Sequence, residues 1–462
     1  MIKTKNKTTP QERNPLIDSL PPFVEMADHP RRLAFNPLNK HTSLTEISEE
    51  NRQSLLDDMD RLFSPTRLSI EAAVEVQSMI RCGYRDRRPL SPRYMATLYD
   101  QKHDGSFAAP GTNARILVFK GITGVGKDAL ANRICAQYPQ IIDHEDGDAV
   151  GLKRYTQIVV LRVYMSSDGS RSGFQQEILS AIDRLLQTDY STTLKARSVS
   201  ERDVLVANLL KNLHVGLLVL QELQADNFAG SVHREVMLNL ILRFVNLAIP
   251  IVCVGNPGAF EWISGNTQIW RRLHHRPAII IHPAYGPDDP VWQQVGRSIW
   301  EYDLMPKRLP WSREVSKRFY MASGGFPGYA SSIKQLAHKM AWARGLDCIS
   351  LELLEEAANL LDPGIRRVIK AFTTRNWDLI NDLDDTWIGH YRNAWPSNSK
   401  IKTTPDIKAI ATANKSNRRT AKPEKTNILT DPNTLPEKDL RGTFARQQLL
   451  KQLEGAKLSS ET

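Results

Sequence analysis

The chain has 462 residues, of which 41% are hydrophobic and 24% charged. That length and balance allow more than one folded unit and exclude collagen-like, coiled-coil and wholly disordered chains. Lys and Arg number 61 against 51 Asp and Glu, a net charge of +10, which suits a polyanionic partner without requiring one.

Residues 1–63 are rich in Pro and polar residues and read as an extended arm, anchored by Leu16, Ile17 and Leu20 ahead of Pro21-Pro22. The N-terminus is basic but lacks the apolar stretch of a signal peptide, and no apolar run approaches the ~18 residues of a membrane span. A cytoplasmic protein with no membrane partner is expected. A helical segment follows over 64–111. Its main helix is predicted from Ser64 as cap, with Pro65 in the first turn, to Cys82, with Gly83 just past the end. Arg81, Arg85, Arg87, Arg88 and Arg93 then form a basic cluster.

Over 112–285 the pattern changes to short apolar runs rich in Val and Ile: Ile116–Phe119, Ile158–Val163, Val215–Leu220, Ile249–Val254 and Ala278–Ile281. Such runs are typical of parallel strands covered on both faces. Helical patterns lie between them. Phe174, Ile178, Ile182 and Leu185 recur at helical spacing, and another helix is predicted over Val232–Ala248. The alternation predicts a doubly wound α/β fold. Residues 286–372 read as a helical lid, with helices over Ser312–Ser323, Tyr329–Gly345 and Ser350–Leu361. The Trp-rich stretch 373–395 reads as a packed C-terminal helix. A basic, largely disordered tail over 396–462 completes the chain. Between Lys400 and Lys425 eight Lys/Arg stand against two acids, a net of +6. The last part of the tail, Glu437–Leu453, has the pattern of a short amphipathic helix. The four cysteines are far apart, so no CxxC zinc or redox motif exists.

Chemistry concentrates in Gly121-Ile122-Thr123-Gly124-Val125-Gly126-Lys127-Asp128, which follows the first strand and opens a helix at Ala129. In that context the glycines let backbone N–H groups curl around phosphate oxygens, the helix N-terminus adds positive potential, and Lys127 reaches the terminal phosphates. A Gly-rich turn that binds nothing is the competing reading, which the full spacing disfavours. The residue after the lysine is ordinarily a hydroxyl that ligates Mg²⁺; here it is Asp128. The strand Val215–Leu220 ends in Gln221-Glu222, where Glu222 suits activation of water and Gln221 replaces the acid that orients the metal. Two readings of this exchange stand open. In one it is reciprocal, and Asp128 supplies the charge at the Mg²⁺. In the other both positions have decayed because hydrolysis is no longer needed.

Asn256, at the tip of the strand beside the loop strand, suits a sensor of the γ-phosphate, though Asn-Pro is also a common turn. Arg271 and Arg272 lie in Trp270–Arg276, which reads either as an arginine-finger region or as a solvated basic loop. His274-His275 has no ligand partner nearby, so no metal is expected there.

Several segments together resemble one family. These are Asn14–Pro21, Met79–Tyr84, the phosphate loop, Val215–Glu222 with Gln224, and Met237–Asn239 through Asn246 to Ile249–Gly255. Over about residues 12–370 the chain resembles the AAA+ ATPases of the TnsC/TniB type, target-selection regulators of transposons. The resemblance implies a parallel-sheet P-loop domain with a helical lid, ATP and Mg²⁺ as cofactors, and rings or filaments on duplex DNA. It also implies contacts to a target-selector protein and to transposase subunits, in the bacterial cytoplasm. By position Gly121 to Ala129 and Gln221 would hold nucleotide, Glu222 and Asn256 would act on the attacking water, and Arg271 or Arg272 would be the finger. The departures at Asp128 and Gln221 bear on hydrolysis more than on binding. No Arg follows Gly325, where many AAA+ lids place a second sensor. A non-hydrolysing adaptor between DNA and transposase, and a helicase-loader-like ATPase, are the alternatives. No base-reading motif is present, so DNA contacts should be backbone-directed, with charge supplied by the arginines of 81–93.

Overall fold

The computed structural model describes residues 13–40, 48–99, 115–145, 147–166, 169–194, 196, 198–223, 231–260 and 278–381. All lie in one compact unit spanning residues 1–396; the second unit, residues 397–462, falls outside the described residues. The same holds for Gln224, for Arg271 and Arg272, for the expected helix beyond residue 381 and for the expected tail.

The arm runs as extended stretches interrupted by short helices α1 (Pro15–Asp18), α2 (His29–Leu33) and α3 (Glu49–Asp57). It is anchored by polar contacts as well as by Leu16, Leu20 and Leu33, all buried. Asn14 caps α1 through its side-chain oxygen, and its Nδ2 donates to Tyr84 O at 2.9 Å. Helix α4 (Arg67–Arg85) begins later than the sequence predicts. Phe35 and Phe63 exchange two backbone hydrogen bonds, 3.0 and 2.8 Å, which holds the chain extended up to the cap. Thr66, in a reciprocal box with Ser69, then caps the helix in place of Ser64.

Helix α4 also runs through Gly83 rather than ending before it. A Cβ there would lie 2.7 Å from the Pro250 ring, so this glycine serves a close approach and not a stop. The neighbouring Tyr84 is fully buried and donates from its hydroxyl to His214 O at 2.9 Å. Of the arginine cluster, Arg85 and Arg93 are exposed, and the correction concerns Arg87. Arg87 is 3% exposed and donates to Gly83 O and Val215 O. Arg81 donates to Pro21 O and Arg88 to Arg13 O. These three arginines fasten arm, helix and sheet together, and the buried Arg87 is not available to a phosphate. Helix α5 (Pro92–Tyr99) follows.

The α/β region comprises β1 (Ile116–Lys120), α6 (Lys127–Cys135), β2 (Ile141–His144), β3 (Tyr155–Ile158), β4 (Val160–Tyr164), α7 (Arg171–Leu186), α8 (Tyr190–Thr193) and α9 (Val199–Asn212). It continues with β5 (Leu217–Leu223), α10 (Ser231–Asn246), β6 (Ile251–Gly255) and β7 (Ile279–Ile280). The apolar run Ile158–Val163 is divided between two strands. β3 pairs antiparallel with β2 in a separate hairpin, and β4 enters the main sheet. That sheet has the order β4-β5-β6-β1-β7, with every pairing parallel. Helices α7, α9 and α10 close a core on one face. Helices α4 and α6 and the arm close a second core on the other. β1 and β6 are buried along their whole length, as strands covered on both faces must be.

The helical region holds α11 (Pro290–Glu301), α12 (Arg313–Ser323), α13 (Pro327–Ala343), α14 (Leu351–Asn359), α15 (Pro363–Thr373) and α16 (Trp377–Asn381). Ser312 and Ser350 cap α12 and α14 through their side chains. Trp292, Trp300, Phe319, Ile333 and Leu354 form its core. Helix α3 and the turn after it are joined to this lid, because Leu55, Leu56 and Met59 pack with Tyr302 and Leu304.

Candidate nucleotide site

β1 lies between β6 and β7, so the loop that follows it leaves the sheet near the middle of its C-terminal edge. Open parallel sheets place ligands at this edge. The loop needs its glycines for different reasons. A Cβ on Gly121 would come within 2.6 Å of Val125 Cγ2. Gly124 and Gly126 have φ of +90° and +91°, a region that L side chains avoid. Gly126 is the N-cap of α6 and offers no side chain to it, so the first N–H groups of that helix are left for a ligand. Lys127 is nearly buried, with its Nζ 3.7 Å from Asp128 Oδ2.

Beside the loop is a cavity of about 380 Å³ between α/β region and lid. Phe63 and Thr66 wall it from the arm side, Gly126 and Ala129 from the phosphate loop, and Tyr285 and Trp292 from the lid side. Its size and mostly apolar lining suit a nucleoside. Burial raises the Tyr285 hydroxyl to about 12, so it stays protonated as a hydrogen-bonding group. The lid closes directly on the loop. Gly328 N–H donates to Gly124 O at 2.9 Å, and Ile122 and Val125 pack with Phe326, Phe372 and Ile380.

At the end of β5 the ladder to β6 shifts register between Leu220 and Leu223. Glu222 sits in this irregularity, exposed and with φ of +57°, a strained value for a residue with a side chain. Gln221 is 1% exposed. Its Nε2 donates to Asn132 Oδ1 at 3.3 Å, while its Oε1 is buried without a hydrogen-bond partner among the described residues. Asn132 stands one turn after Asp128 on α6, so Gln221 faces the helix that carries Asp128. Arg162 also donates to Asn132 Oδ1, at 3.2 Å. Asn256 is buried, and its N–H donates to Leu223 O at 3.0 Å. Because Lys120 pairs with Gly255, Asn256 comes level with Gly121.

The structure thus brings together the loop residues Gly121 to Ala129 with Gln221, Glu222 and Asn256 along one sheet edge. Arg271 and Arg272 cannot be placed, since they lie outside the described residues. Sequence reasoning missed Lys120, a nearly buried lysine with Nζ 5.3 Å from the Phe260 ring centre. The signal was a lysine closing an apolar strand just before the loop. It also missed Asn132, Arg162 and the cavity wall, whose residues are distant in sequence and carry no motif.

ATP fits this arrangement, since the cavity takes a base and the open helix N-terminus takes phosphates. Among the described residues no three His, Cys, Asp or Glu side chains gather into a metal cluster. A Mg²⁺ ion would depend on the half-exposed Asp128 carboxylate together with phosphate oxygens, and the orphaned Gln221 Oε1 fits as an acceptor nearby.

A family model described as "Bacterial TniB protein" matches residues 107–279. No curated protein matches the chain. Among solved structures, the Aeropyrum pernix ORC2 protein in its ADPNP–ADP complexes is 13% identical over 66% of this chain and 84% of its own, with a TM-score of 0.37. Drosophila ORC bound to DNA is 12% identical over 75% and 84%, with a TM-score of 0.33. The Thermotoga maritima RuvB Holliday junction branch migration motor is 12% identical over 62% and 78%, with a TM-score of 0.31. The parallel five-stranded sheet, the loop after β1 beside its central strand β6, and the helical lid define an AAA+ P-loop fold. The match to the TniB family model, residues 107–279, lies in this α/β region, so that part of the chain is similar to TniB proteins.

Proposed function

We propose that the chain is an ATP-binding regulator of DNA transposition that assembles on duplex DNA and connects a target-selector protein to transposase subunits. The observation that carries the nucleotide part is the nucleoside-sized cavity that runs into the phosphate loop. The TniB match supports the link to transposition. In this reading the backbone N–H groups from Gly124 to Ala129 take the phosphates, and Lys127 neutralises the terminal ones. Asp128 would hold Mg²⁺, which would offset phosphate charge. Glu222 takes a proton from the attacking water and Asn256 orients it. Subunits meet as a ring or filament, where Arg271 or Arg272 of one copy serves the nucleotide of the next.

A second reading, a non-hydrolysing adaptor, is favoured by one observation. Gln221 is an amide whose NH₂ is engaged with Asn132, so the acid ordinarily found at this pole is absent. Electron microscopy of the chain on duplex DNA with ATP, ADP and a slow analogue, alongside turnover measurements, separates the two. ATP-dependent assembly with turnover supports the first reading. Assembly with no turnover supports the second. No assembly on DNA with any nucleotide contradicts both.

A further inference from the structure

Helix α15 (Pro363–Thr373) has two unlike faces. At about 100° per residue, Arg366, Arg367 and Lys370 fall within one arc of about 100°. All three are exposed. On the opposite side Phe372 is buried with Ile122 and Val125 of the phosphate loop and with Phe326 of the lid, and Val368 packs against the same cluster. Ile369 on the same apolar side lies against the end of α12, since a Cβ on Gly324 would come 3.3 Å from Ile369 Cα. Asp362, the acid just before the helix in sequence, is engaged as its N-cap and accepts from Gly364 N–H at 2.7 Å.

We infer that the basic face of α15 is a docking surface for the phosphate backbone of duplex DNA, linked to the nucleotide through its apolar face. The inference rests on the reading that the chain assembles on DNA, and names residues that touch it. Two guanidinium forks and an ammonium on one exposed stripe suit the phosphates of a duplex backbone. The charge reading of 81–93 fails for the buried Arg87, whereas these three side chains reach solvent. A helix that meets DNA on one side and seals the phosphate loop on the other couples the two ligands reciprocally.

The test uses the full chain and a 30-base-pair duplex of arbitrary sequence, with affinity measured across a salt series with an ATP analogue present. The triple variant Arg366→Gln, Arg367→Gln, Lys370→Gln is compared with a control losing equal charge elsewhere, Arg67→Gln, Arg297→Gln, Lys307→Gln. Each phosphate contact contributes about 0.9 to the slope of log K against log salt, so the triple variant should lose about 2 to 3 units and the control far less. In the unaltered chain DNA should tighten analogue binding about fivefold or more, and in the triple variant it should not. DNA binding with the same slope in triple variant and unaltered chain overturns the inference alone. So does a triple variant that keeps its DNA slope but loses an acidic protein partner. No duplex binding by the unaltered chain overturns both the inference and the assembly reading beneath it.

Discussion

Asp128 and Gln221 place an acid and an amide where the P-loop pattern has a hydroxyl and an acid. The amide donates to Asn132 one turn along α6, its Oε1 is buried without a partner among the described residues, and the Asp128 carboxylate stays half exposed. If the two positions act as a pair, Asp128→Thr alone should weaken Mg²⁺-dependent ATP-analogue binding at least tenfold, about 1.4 kcal/mol. Adding Gln221→Asp should then recover most of that loss. Calorimetric titration with and without Mg²⁺ reads this directly, and simple additivity of the two changes would contradict the pairing. His214 gives a residue-scale outcome of another kind. Burial above all, then the charges of Arg87 and His144, lowers its imidazole to about 3. The native state therefore keeps it neutral while the unfolded chain takes up a proton below about 6.5. Its contribution to stability is complete above that pH and is lost as pH falls towards 3. Asn tolerates the positive φ of this site, +45°. His214→Asn should therefore flatten the fall in unfolding free energy between pH 6.5 and 4. An unchanged slope in denaturant titrations would contradict this.

The lid contains a buried ion pair that the sequence does not reveal. Lys334 Nζ lies 2.8 Å from Asp303 Oδ2 and 3.9 Å from the Trp300 ring centre, and neither side chain is more than 5% exposed. Burial works against the Asp303 carboxylate, but the hydrogen bond from His338 and the charge of Lys334 hold it down at about 2. Lys334→Met alone strands that carboxylate and should cost about 3 kcal/mol or more in chemical denaturation. Adding Asp303→Leu should restore much of the loss; equal losses in single and double variants would contradict the pairing.

The elements themselves were legible where local chemistry announces them. Ser312 and Ser350 mark two lid helices, and Phe174, Ile178 and Ile182 mark the buried face of α7. Helices α11 and α15 went unread, although Asp289-Pro290 and Asp362-Pro363 are cap and first-turn pairs. The β2–β3 hairpin was hidden because Ile158–Val163 is apolar across the point where two strands meet. The start of α4 was set by the Phe35–Phe63 pairing, a contact between distant residues that no local pattern encodes.

At the scale of the whole molecule, the phosphate loop was readable because its residues are contiguous, while the cavity beside it was not. Its walls come from the arm, the sheet edge and the lid, and they meet only after folding. Net charge of +10 was visible at once, yet it did not say which cations are free: Arg87 is consumed inside the fold, and the arginines of α15 are exposed. Everything proposed for assembly depends on the loop around Lys127 holding a nucleotide. Equilibrium binding of a fluorescent ATP analogue to the full chain, compared with a folded Lys127→Ala variant, tests that most directly. A charged hydrogen bond is worth about 1.5–3 kcal/mol, so the variant should bind at least tenfold more weakly. Equal affinity in the two proteins, or no binding to the unaltered chain with or without Mg²⁺, would contradict the account.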